Sequence, residues 1–303
     1  MRKVHAVVLA AVAGGTLLLP ATAASAATTK PAPDGKPAPS SRLAPPRART
    51  APKGYTVVES PGYGSSSGFE NEGGVSCPGH EQASDGGVVV ESDAVTVSVA
   101  SSFPTSYGWA AYVNNNSGSD TEFFVYAICL ARSSHRQVVS SYVSVSGGST
   151  ASWTAQCPAG DKVTGGGAFD ISYDTETNLS SSYPTTLMTP DDAWGVTVSN
   201  GDTSAAAVYV YAVCRPRPAG YSIQYGQPVN LSPDSDTEVF SSSCPGSRVV
   251  LGGGVITDDS SADTAVALNS VFPTENDTRW GGLVNNGETS VRESAAEAIC
   301  AGT

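Results

Sequence analysis

Cys157-Pro158-Ala159-Gly160-Asp161-Lys162-Val163-Thr164-Gly165-Gly166-Gly167 is a phrase that this chain writes three times. The other copies open at Cys77-Pro78-Gly79 and Cys244-Pro245-Gly246, and eight residues after those cysteines begin Asp85-Gly86-Gly87 and Gly252-Gly253-Gly254. Moving outward, each copy places a proline after an aromatic, at Phe103-Pro104, Tyr183-Pro184 and Phe272-Pro273. A tryptophan follows at Trp109, Trp194 and Trp280, and each copy closes on Ala-x-Cys at Cys129, Cys214 and Cys300. A period near 80 residues marks a repeat architecture, in which equivalent residues do equivalent jobs. One opening and one closing cysteine per unit therefore predict the disulfides Cys77–Cys129, Cys157–Cys214 and Cys244–Cys300.

The repeats occupy residues 54–133, 134–217 and 218–303. Before them come two different segments. Residues 1–26 read as an export signal: Arg2 and Lys3, an apolar run from Val7 to Leu19, and the small-residue site Ala24-Ser25-Ala26. That run is too short and too broken by Gly14 and Gly15 to span a bilayer, and no later segment is long and apolar enough. Residues 27–53 are proline-rich and basic, an arm expected to stay disordered in isolation because it has almost nothing to bury. The expected location is secreted, extracellular or cell-wall associated, an oxidising setting that suits structural disulfides.

Charge divides the chain the same way. Lys30, Lys36, Arg42, Arg47, Arg49 and Lys53 against Asp34 give the arm a net +5, whereas residues 54–303 hold 8 basic and 27 acidic side chains, a net −19. An acidic body repels polyanions, so a nucleic-acid partner is excluded for it. The arm's six basic residues are its candidate contacts, on an anionic wall or in a partner.

The repeats read as β throughout. Ser140–Ser146 alternates with period two, Trp194-Gly-Val-Thr-Val-Ser does the same, and Val208–Cys214 is rich in strand formers with Val208, Val210, Ala212 and Cys214 on one face. The expected fold is all-β: three tandem disulfide-closed β-sandwich or Greek-key repeats of five or six strands. They form either separate beads or one body with pseudo-threefold packing, and the short connections favour contact. The Cys-Pro, glycine-triplet, Tyr/Phe-Pro, Trp, Asn and Ala-x-Cys pattern, over about 250 residues, resembles repeats of secreted bacterial, especially actinobacterial, proteins mostly of unassigned function. Repeat 1 departs from it, with Asp85 in place of the first glycine.

Several patterns invite a chemical reading. The pairs Trp109/Asn114, Trp194/Asn200 and Trp280/Asn285 have the composition of a sugar site, a ring face beside an amide. Trp194 shares its strand face with Val196 and Val198, however, and Trp109 with Ala111 and Val113, which favours a core role over a ligand role. The glycine triplets lack the following Lys-Ser/Thr of a phosphate loop and read as bulges or close backbone approaches. Asp170, Asp174 and Glu176, and Asp258, Asp259 and Asp263, offer oxygens for Ca2+ but with unequal spacing, so a solvated acidic edge is expected. Gly64-Ser65-Ser66-Ser67-Gly68 matches a nucleophile elbow by letter without the strand-turn-helix that makes one. His80 and His135 recur in no other repeat.

No repeated base, nucleophile or metal motif emerges, so the expectation is a protein with no enzymatic activity, no catalytic or metal residues and no cofactor. It is expected to bind an extracellular protein or cell-surface glycan. The alternative is an adaptor subunit of a secreted, toxin-type assembly that docks through its N-terminal arm.

Overall fold

A computed structural model describes residues 51–132, 136–140, 142–185, 192–258, 264–274, 276 and 278–303. The expected signal peptide and the arm up to residue 50 lie outside the described residues, as do His135, Asp259 and Asp263. Repeat 1 contains β1 (Thr56–Glu59), β2 (Tyr63–Ser65), β3 (Phe69–Ser76), β4 (Gln82–Val90), β5 (Val97–Pro104), β6 (Gly108–Asn115) and β7 (Thr121–Leu130). Repeat 2 contains β8 (Arg136–Val139), β9 (Val143–Val145), β10 (Ser149–Gln156), β11 (Asp161–Asp170), β12 (Thr177–Thr185), β13 (Ala193–Asn200) and β14 (Ala206–Pro216). Repeat 3 contains β15 (Ser222–Tyr225), β16 (Val229–Leu231), β17 (Ser235–Phe240), β18 (Val249–Thr257), β19 (Val266–Pro273), β20 (Trp280–Asn286) and β21 (Arg292–Ala301).

The chain is all-β, and of the two arrangements left open by the sequence it adopts the shared one. No repeat closes a sandwich of its own. Each gives its first, second, fourth and seventh strands to one seven-stranded sheet and its third, fifth and sixth to another. Sheet I joins β1, β2, β7 and β4 to β19, β20 and β17. Sheet II joins β10, β13 and β12 to β18, β21, β15 and β16. Sheet III joins β3, β6 and β5 to β11, β14, β8 and β9. The exchange is cyclic, so three sheets built from three repeats form a prism with a pseudo-threefold axis.

The disulfides Cys77–Cys129, Cys157–Cys214 and Cys244–Cys300 are those the repeat predicts, with Cα atoms 5.6 to 5.7 Å apart. Each ties two sheets together: Cys129 is on sheet I and Cys77 follows a strand of sheet III. Closing loops of 52, 57 and 56 residues restricts the unfolded chain by roughly 4 kcal/mol each.

The glycine triplets explain how the sheets meet. The third glycine lies at the seam between repeats: a Cβ on Gly87, Gly167 or Gly254 would sit 2.1, 1.9 or 2.0 Å from a carbonyl oxygen of the adjoining strand. The second lies under the repeat's own indole, since a Cβ on Gly86, Gly166 or Gly253 would meet Trp109, Trp194 or Trp280 at 2.2, 2.4 or 2.5 Å. The first faces the axis, where a Cβ on Gly165 or Gly252 would meet Asp85. There is space for one side chain between three strands, and Asp85 fills it.

Each seam is short. A single ladder pair joins the halves of each sheet, at Ala168↔Ser102, Ser182↔Val255 and Val271↔Val88. A β-bulge beside each pair turns a serine across the seam. There Asp170 N–H donates to Ser101 Oγ at 2.9 Å, Thr257 N–H to Ser181 Oγ at 2.9 Å and Val90 N–H to Ser270 Oγ at 3.0 Å. The centre is a packed core: the void beside the axis, lined by Val99, Leu179, Leu268 and two of the tryptophans, measures about 10 Å3, no more than one water needs.

Candidate binding face

The tryptophans chosen from the sequence are interior. Trp109, Trp194 and Trp280 are at most 1% exposed, so none presents a ring face to a ligand in solution. Trp109 Nε1–H donates to Ser102 Oγ at 2.8 Å and Trp194 Nε1–H to Ser182 Oγ at 2.9 Å. In repeat 3 the matching residue is Val271, and among the described residues Trp280 Nε1–H has no partner.

The asparagines are buried as well, and the ladder register assigns them differently from their distance in sequence. Asn115, Asn200 and Asn286 are the equivalent set. Their side-chain amides donate to Ser65 O and Ser119 O, Val145 O and Ser204 O, and Leu231 O and Ser290 O. They fasten the short strands β2, β9 and β16 and the turns before β7, β14 and β21. Asn114 and Asn285 form a second set that reaches between repeats, donating to Thr177 O and Val97 O.

The remaining candidates are dispersed. Lys53 is described, and its carbonyl accepts from Ala131 N–H; Lys30, Lys36, Arg42, Arg47 and Arg49 are outside the described residues. His80 is exposed at the rim of a hollow of about 460 Å3 shared with Tyr107 and Arg132. Ser65 ends β2 and its Oγ accepts from Asn71, with strand β3 following in place of the helix an elbow requires. Asp174 caps its loop, its Oδ1 accepting from Glu176 N–H and Thr177 N–H. Among the described residues no three His, Cys, Asp or Glu side chains gather as metal ligands.

On the axis, Asp85 is fully buried. Gly253 N–H donates to its Oδ2 at 2.8 Å and Gly166 N–H to its Oδ1 at 3.3 Å. Burial pushes its carboxyl well above the ordinary carboxylate range, against the pull of the N–H groups of Gly253, Gly86 and Gly166. This is a structural plug, sealed from solvent.

Where the repeats part company is on the outer faces. Residues that alternate with the core-facing ones point outward, and sheet III fills those positions with aromatics from two repeats. Phe103 lies 4.6 Å from Phe169, 5.9 Å from Tyr211 and 6.2 Å from Tyr112, centroid to centroid, with interplanar angles of 29°, 23° and 18°. All four are half-buried. At one end Tyr173, 61% exposed, stands edge-on to Tyr112 at 64° and to Phe169 at 75°. It does so from a left-handed backbone conformation, φ 54°, which a non-glycine residue adopts at a cost. At the other end Tyr209 meets Tyr142, itself 60% exposed.

Carboxylates rim the Tyr173 end. Burial first, then the charges of Asp170, Asp174 and Glu72, push Glu70 up to about 8. Among the described residues no cation is one of the groups acting on it. Asp170 is on the other, inner face of β11 opposite Val208, 1% exposed and raised to about 6 chiefly by burial. Its Oδ1 accepts from Ser172 N–H, while among the described residues its Oδ2 has no hydrogen-bond partner. Glu72 hydrogen-bonds Tyr112, whose hydroxyl is pushed up by burial and then by that carboxylate.

The corresponding faces differ. The place of Tyr211 is taken by Tyr126 in sheet I and Glu297 in sheet II, and that of Phe169 by Val89 and Ile256. In sheet I, Val89, Phe124, Tyr126 and Phe272 form a buried cluster separate from the central core. In sheet II a shallow hollow of about 350 Å3 is lined by Ser152, Tyr183, Thr197 and Ile256. Sequence reasoning missed the sheet III face because its rings come from different repeats. A signal was present in Tyr209 and Tyr211, which alternate with the buried Val208 and Val210. No family model matches this sequence, and no curated protein is significantly similar to it.

Proposed function

We propose that this is an exported, non-enzymatic binding protein whose working surface is the outer face of sheet III, and that its ligand is an extracellular protein. The observation that carries this reading is the run Tyr173–Phe169–Phe103–Tyr211: half-buried or exposed rings in a continuous strip, on one of the three outer faces. Contiguous exposed aromatics mark interaction surfaces because they bury much area at little entropic cost. All six cysteines are in disulfides, which supports an oxidising extracellular setting and leaves no thiol nucleophile. Among the described residues no helix is long and apolar enough to cross a membrane.

A protein ligand fits better than a glycan because of the rim. Sugar hydroxyls can donate to Glu70 and Glu72 but cannot relieve the repulsion among Glu70, Asp170 and Asp174. The test is affinity capture from culture fluid with tagged mature protein, comparing wild type with Phe169→Ser/Tyr211→Ser. Recovery of a stoichiometric protein by wild type only supports the reading. Equal recovery by both, or retention on wall glycans alone, overturns it.

A further inference from the structure

The chemistry of the partner can be read from the Tyr173 end of the strip. Tyr112 and Phe169 lie there with centroids 5.6 Å apart and planes tilted by 35°, and Tyr173 stands edge-on to both. Rings meeting at such angles form two walls of a recess whose faces carry negative quadrupoles. Glu70 supplies a carboxylate at the rim. Asp170, which pairs with the buried Val208 on the inner face of β11, does not line the recess but adds its negative charge to the field at Glu70. These features agree in sign: the faces of the rings and all the carboxylates favour a positive charge.

The rest of the strip says what carries that charge. From the recess the rings continue through Phe103 to Tyr211, across strands β6, β5, β11 and β14. A small ammonium ion would use only the recess and leave this run uncovered. An extended chain would use both, and a row of aromatics with shallow grooves between rings is how polyproline II segments are held. Resting on the reading of sheet III as the binding face, we propose that the recess formed by Tyr112, Phe169, Tyr173 and Glu70 takes an arginine or lysine side chain of an extended, proline-rich segment of a partner protein, with its prolines lying along Phe103 and Tyr211. The cation replaces water at Glu70, lowers the mutual repulsion of the carboxylates, and stacks on the rings, for which a planar guanidinium is the better fit.

The experiment titrates fluorescein-labelled proline- and arginine-rich peptide into the full mature protein, beside the same peptide with citrulline at every arginine. Expected are saturable binding of the arginine peptide, at least about tenfold weaker binding of the citrulline peptide, and a comparable loss in Tyr173→Ala and Glu70→Gln. Tyr173 is 61% exposed and Glu70 is half-buried, so both variants should keep the wild-type melting temperature; a variant that does not is replaced by Tyr173→Leu or Glu70→Met, which remove the ring or the charge at similar bulk. Binding of the citrulline peptide as tightly, with both lost in Tyr173→Ala, would leave the binding face standing and overturn the cation. Binding of choline with no binding of peptide would overturn the polypeptide. If the peptide binds only after Arg42, Arg47 and Arg49 are changed to glutamine, the occupant is this chain's own arm and the partner assignment falls. Indifference of every variant to both peptides would remove the face itself.

Discussion

Along the axis the three repeats are near copies, and on the outer faces they are three different proteins. Trp109, Trp194 and Trp280 lie over Gly86, Gly166 and Gly253, and Ser101, Ser181 and Ser270 cross the seams with the same geometry. A short distance outward, one position reads Tyr112, Thr197 and Leu283, and another Phe169, Ile256 and Val89. The axis is over-determined because each residue there must satisfy three repeats at once, and a Cβ in the wrong place has nowhere to go. The outer positions answer only to their own sheet and to whatever meets it. Repetition therefore marks the scaffold in this fold, and the break in repetition marks where function has room to reside.

The comparison fails at once if the axis is soft. Trp194→Ala should cost about 3–5 kcal/mol, as truncation of a fully buried large aromatic does, measured by chemical denaturation. A loss below about 1 kcal/mol would mean that the axis tolerates a void and that the repeated residues are not the scaffold. The paired variant Cys157→Ala/Cys214→Ala should cost somewhat less, about 2–4 kcal/mol. It should lower the melting temperature without abolishing the β signature, because the two remaining disulfides still tie sheets I to III and I to II.

Much of this scaffold was legible in the sequence, for a physical reason. Cysteine pairing follows from repetition, and strand content from period-two runs such as Val208–Cys214. The exchange of strands between sheets was not legible, because β5 pairs with β6 identically whether its other edge meets its own repeat or the next. The tryptophans read correctly as core from the apolar residues that share their strand faces, whereas the asparagines' work of fastening strands and turns was not legible; burial and hydrogen bonding reveal it. The glycine triplet read correctly as close backbone approach, yet Asp85 looked like a flaw in the first copy. It is the one side chain that a threefold axis admits. The aromatic face was hidden because Phe103 and Tyr112 belong to one repeat and Phe169 and Tyr211 to another.

A finer break in the symmetry comes next in size. Ser182→Val would give repeat 2 the arrangement that repeat 3 already has, an indole N–H without its hydroxyl. The cost should be about 1 kcal/mol, the net worth of one buried hydrogen bond partly offset by the added apolar surface. The reverse change, Val271→Ser, offers Trp280 a partner and should be nearly neutral. A large loss on either change would show that the seam distinguishes the repeats more sharply than its geometry implies.

The smallest effect tests the outer face directly. Glu70 is pushed up to about 8 by burial and then by Asp170, Asp174 and Glu72, with Tyr112 also against Glu72. Since its folded value lies above the ordinary 4.5, the folded protein binds this proton more tightly than the unfolded chain. The contribution is fully present below about pH 4.5 and is lost as pH rises through about 8. Urea midpoints should therefore drift down between those limits, gently because the group is half-exposed and screened by solvent. Glu70→Gln should flatten that drift, leaving the part due to Asp170, whose carboxyl is raised to about 6. Should the cationic segment occupy the recess, its binding will deepen as pH rises over the same range, because Glu70 must ionise to receive it. Stability and affinity would then move in opposite directions with pH, a signature that an inert acidic edge does not produce.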